Sequence, residues 1–213
     1  MRALLAYRLD TLARSGRWSA PAVLFVVVVT VAAWDAAGPV LPLYAVCSAA
    51  LLAAATWLGM ATVNLEGPAQ RGVTLVTAGY RATLVSHVAA ALCGCVILAV
   101  VGVAVPVVVG DHTVTPVVLL VGVAGQLGCA FVGLGIAMLC CRWVLPRPGY
   151  AVLAAVLLVL LTVLVPATPV NPMLQALSSN NPSTPVILTL AAAGVAVLLG
   201  CGELTHHVAR HRD

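Results

Sequence analysis

The sequence predicts an all-α polytopic membrane protein with six transmembrane helices, and three observations carry that prediction. The first is composition: 62% of the 213 residues are apolar, 8% are charged and the mean hydropathy is +1.13. Such a chain cannot clothe a water-soluble globule in polar groups, but it suits lipid as its solvent. The second is pattern, because runs such as Val23 to Val29 and Val152 to Val165 are apolar on nearly every face. A membrane barrel would instead alternate apolar and polar residues. The third is length: a hydrocarbon core about 30 Å thick takes roughly 20 residues per helix. The apolar runs then read as spans at 20–37, 42–64, 82–109, 114–141, 149–165 and 185–202, within a single transmembrane domain covering 1–213.

Arginine fixes the expected orientation, because the chain has no lysine. Arg2, Arg8, Arg14 and Arg17 precede the first span; Arg71 and Arg81 follow the second; Arg142 and Arg147 follow the fourth; Arg210 and Arg212 follow the sixth. The opposite connections hold Asp35, Asp111 and His112 instead. By the positive-inside rule both termini are cytoplasmic. Arginine without lysine, with abundant Ala, Val and Gly, points to a GC-rich bacterial genome and so to a bacterial cell membrane.

Segment 1–18 is not a cleavable signal, since a mixed stretch rather than an apolar one follows its basic residues. Helical spacing puts Leu5, Leu9 and Leu12 on one stripe, with Asp10, Arg14 and Arg17 roughly opposite. That pattern predicts an interfacial helix anchored by Trp18, or else a basic tail that folds only on lipid. The first span shows no polar face. The second, with Ser48, Thr56, Thr62, Asn64 and many alanines, reads as a packing helix. Pro106 near the outer end of the third is a tolerated kink. On the fourth, Gly125, Cys129 and Gly133 recur at spacing four beside Gln126, which fits close helix packing or, second, a substrate-facing surface. Extracellular loop 166–184 is rich in proline and asparagine. Its apolar patch Met173 to Leu177 fits either a short re-entrant or surface helix or a solvated loop.

Most catalytic chemistry is missing. No Asp, Glu, Lys or Arg falls in the middle of any predicted span, so a proton-driven carrier has no evident relay. Cys93 and Cys95 point to nearly opposite helix faces, Cys140 and Cys141 are adjacent, and the seven cysteines read as packing residues rather than metal ligands. His207 and His211 stand at i, i+4, yet only Glu203 lies near as a further ligand, and a solvated tail accounts for them. His87 reads as a headgroup-level polar residue. No catalytic, cofactor-binding or metal residue is expected. A phosphate-cradling loop needs a lysine, so any ATP chemistry belongs to another polypeptide.

The remaining landmark is segment 65–81. Its Gly67-Pro68 breaker is followed by Arg71-Gly72-Val73-Thr74-Leu75-Val76 and Ala78-Gly79-Tyr80-Arg81, with Glu66 placed to pair with Arg71 or Arg81. An interfacial N-terminal helix, six spans and this segment together resemble the permease subunit of type-2 ABC exporters. The segment departs from the family pattern at Val73, where Thr is usual, and at Gly79, near the usual Pro. The resemblance implies that 65–81 is a cytoplasmic coupling helix between spans two and three, docking on a separate ABC ATPase subunit that binds ATP and Mg. It implies a coupling surface of Glu66, Arg71, Gly72, Thr74, Leu75, Tyr80 and Arg81, and pairing with a second copy or a sibling permease in the lipid bilayer. No nucleic-acid partner is expected. The expected cargo is hydrophobic or amphipathic: a lipid, a peptide or a natural product. Two other readings share these features or compete with them, a membrane scaffold or immunity protein without transport and, less favoured, a membrane-embedded enzyme.

Overall fold

A computed structural model describes residues 2–34, 39–65, 67–109, 115–141, 144, 147–179 and 183–210. Among these the chain is all-helical, in the order α1 (Arg2–Ser15), α2 (Ser19–Trp34), α3 (Val40–Val63), α4 (Pro68–Ala78), α5 (Tyr80–Val109), α6 (Pro116–Leu139), α7 (Pro148–Leu164), α8 (Val170–Ser178) and α9 (Thr184–Arg210). By length and composition α3, α5, α6 and most of α9 are able to cross a membrane. A fifth span results if α1 and α2, bent by 73° at their junction, count as one; α7 is apolar but shorter. Large apolar side chains such as Leu24 and Val31 on α2, Ile97 on α5 and Leu157 and Leu161 on α7 lie bare on the outside of the bundle. A belt of that extent belongs against hydrocarbon, and it marks the chain as membrane-embedded.

Helix α6 sits at the centre because glycine and alanine on several of its faces let neighbours approach closely. On one face, a Cβ at Gly133 would stand 2.5 Å from the Leu52 carbonyl oxygen of α3. On another, a Cβ at Gly194 of α9 would stand 2.7 Å from the carbonyl oxygen of Gly128. Only glycine permits either crossing without parting the backbones. The contacts also give directions. Tyr44 meets Gly122 and Gly59 meets Ala137, so α3 and α6 run parallel; Ala191 meets Gly128 and Thr205 Oγ1 donates to the Met138 carbonyl (3.2 Å), so α9 runs with them. Helix α5 runs the opposite way, with Leu84 beside Val63 and Met138 at one end and Gly102 against Gln126 further along. The Gly125, Cys129 and Gly133 stripe is thus a packing surface, turned towards Leu177 and α3.

Helix α1 ends at Gly16, whose φ of +66° is the left-handed conformation that closes helices and disfavours a side chain. Leu12 is buried, Leu5 and Leu9 are half-buried, and Asp10 and Arg14 are exposed, as the stripe predicted. The extracellular loop expected over 166–184 contains α8, which seats Val170, Met173 and Leu177 fully buried against the α6 side of the bundle. Asn171 Nδ2 donates to the Val163 carbonyl (2.6 Å), closing the turn from α7. The last predicted span stopped at 202, whereas α9 continues to Arg210, so His206 and His207 ride on a helix, with His207 exposed. His211 lies outside the described residues.

Candidate functional site

Residues 68–81 of the segment form α4, the Gly79 break and the start of α5. Pro68 starts α4, where its missing N–H costs nothing, and Gly79 separates α4 from α5 at φ +80°. No neighbour lies within 4 Å of a Cβ placed on Gly79, so conformation rather than space calls for glycine there. Thr74 Oγ1 donates to the Gln70 carbonyl (2.7 Å) and Thr77 Oγ1 to that of Val73 (2.8 Å), both within α4. Val73 and Val76 are 66% and 89% exposed. An 11-residue helix is below the roughly 12 to 15 residues at which isolated helices become even marginal in water. Two bare valines on so short a helix suit a surface that is covered when the protein works.

The start of α5 is anchored to the end of α9. Arg81 Nη2 donates to Glu203 Oε1 at 2.8 Å, and the Tyr80 ring meets His206 edge-on, with centroids 5.8 Å apart. The expected pairing of Glu66 with Arg71 or Arg81 falls outside the described residues; Arg81 has a partner 122 residues away. Sequence distance hides that contact, since nothing local marks Glu203 as its mate. Glu66 itself, and the side chains of Arg71 and Leu75, lie outside the described residues. Of the other predicted residues, Gly72 is exposed with open space around it, while Thr74 and Tyr80 are half-buried. Val73 and Val76, three apart on α4 and exposed, were not among the residues singled out from the sequence.

Other polar groups gather at the same end of the bundle. Arg8 is 4% exposed and its Nε donates to Ser86 Oγ (3.2 Å), pinning α1 to the first turns of α5. His87 is 1% exposed and packed inside the bundle, and Thr83 and Ser86 on the same helix are buried with it. Arg17 Nη1 donates to the carbonyl of Asn64, the residue that ends α3 (3.1 Å). No group of three His, Cys, Asp or Glu side chains that could hold a metal occurs among the described residues.

No family model, curated protein or solved structure matches this chain. What the segment does has to follow from its own chemistry. The segment is a short amphipathic helix, linked at Gly79 to α5, whose first turn is tied through Arg81 and Tyr80 to the end of α9.

Proposed function

We propose that this chain is the membrane-spanning permease subunit of an ATP-driven exporter of the ABC type. In this reading α2, α3, α5, α6, α7 and α9 are six spans, α1 is interfacial, both termini are cytoplasmic, and α4 is the coupling helix. The observation that carries it is α4 itself, a short exposed helix with Val73 and Val76 bare, joined through Gly79 to α5, which Arg81–Glu203 ties to α9. A separate ATPase subunit, holding ATP and Mg, docks there on Gly72, Thr74, Tyr80 and Arg81 together with Glu66, Arg71 and Leu75. Closure of the ATPase pair then rocks the helices about their glycine contacts. A second copy or a sibling permease completes the transporter, and the apolar bundle suits a hydrophobic or amphipathic cargo.

The test is co-purification from native membranes. A Walker-type ATPase should accompany the tagged chain, and Val73→Glu with Val76→Glu should reduce its retention at least tenfold while the protein stays folded. The matching charge reversal, Arg71→Glu with Arg81→Glu, should act in the same direction. An ATPase retained at the normal level by both variants would remove the docking surface. Absence of any ATPase would favour a non-transporting scaffold.

A further inference from the structure

A groove of about 710 Å³ runs down the flank of the bundle between α3 and α7. It exists because the facing residues are small: Ala53 and Ala61 on α3 and Ala155 on α7 leave space that Val159 and Trp57 wall in without filling. Its volume lies within the range of sites that enclose small ligands. Trp57 is 50% exposed along it, so the groove opens sideways, towards the surrounding membrane.

The mouth is chemically different from the walls. Arg17 and Asn64 stand there, and Arg17 also lines a second, polar hollow of about 470 Å³ with Asp10, Arg14 and Leu65. Asp10 is committed to Arg14 at 2.9 Å. Arg17 has no carboxylate partner among the described residues; its one recorded side-chain bond is to the Asn64 carbonyl, which leaves further N–H donors of the guanidinium for an anion. One cation thus joins a polar hollow to an apolar groove.

We infer that the groove holds one acyl chain of an anionic phospholipid from the surrounding leaflet, with the headgroup phosphate at Arg17. The occupant follows from charge complementarity at the mouth and from the apolar flank beneath it. An extended peptide would leave its backbone unpaired along such walls, and a helical one is about 10 Å wide, broader than an acyl chain. The inference does not rest on the export reading, because a resident lipid needs neither ATP nor a partner subunit.

Native mass spectrometry of the protein released from nanodiscs of phosphatidylglycerol and phosphatidylcholine in equal parts tests it. The wild-type chain should retain one phosphatidylglycerol in preference to phosphatidylcholine. Arg17→Gln, at an exposed position, should weaken that preference roughly fivefold, the factor one arginine contributes near an anionic surface. Ala53→Leu with Ala155→Leu should fill the groove and remove the bound lipid. Equal retention of the two lipids by the wild type, an undiminished preference in Arg17→Gln, or a lipid still held by the filled groove would each overturn the assignment.

Discussion

Gln126 is the least comfortable side chain in the bundle. It is wholly buried on α6, pressed between Phe25 and Gly102, and neither its Nε2 nor its Oε1 has a hydrogen-bond partner among the described residues. The Tyr44 hydroxyl, also buried and against the same helix, is likewise unmatched. A buried polar group without a partner costs about 1–3 kcal/mol. Gln126→Leu keeps the volume and removes the penalty, so its thermal midpoint in nanodiscs, followed by circular dichroism, should rise by a few degrees. A fall would mean that a polar partner reaches the amide in the membrane. The sequence displayed Gln126 beside its glycine stripe, but it did not display Arg8 in contact with Ser86. That bond joins residues 78 apart, and an arginine in a basic amphipathic segment reads by default as solvated.

Two helix contacts separate what a local pattern reveals from what packing decides. The apolar runs located α3, α5 and α6 to within a few residues, because hydropathy reports the solvent that a segment prefers. The same measure stopped short of the end of α9. Glu203, His206 and His207 lower the hydropathy, yet the helix persists because Arg81, Tyr80 and the Met138 carbonyl receive its polar side chains. Helix α8 was left open between helix and loop for a related reason: its buried face, Val170, Met173 and Leu177, has value only against the bundle, where α3 and α6 receive it. Glycines on α9 give a sharp comparison. Gly194 crosses the Gly128 backbone, while Gly200 has open space about it. Gly194→Leu should part α6 from α9 and lower the thermal midpoint by several degrees, as overpacking against a backbone costs about 1–3 kcal/mol. Gly200→Ala should be neutral or stabilising by up to about 1 kcal/mol through helix propensity.

The bundle taken together has two chemically distinct ends. Arg8, Arg17 and Arg81 find their partners where α3 and α9 finish and α5 begins, and α8 caps the other end. The alternating arginine pattern had anticipated this polarity, although not the nesting of α6 between two helices that run the same way. Single cysteines read the orientation. With a membrane-impermeant thiol reagent applied outside intact cells, Asn171→Cys should label above the wild-type background and Thr74→Cys should not. The reverse result would invert the topology and, with it, the place of α4. Helices α3, α6 and α9 finish at the arginine-bearing end while α5 begins there, so their peptide dipoles largely offset one another and the local carbonyls matter instead. The carbonyl of Asn64, left bare where α3 stops, accepts from Arg17 (3.1 Å), so this arginine closes a helix terminus inside the bundle as well as marking the side on which the chain inserts.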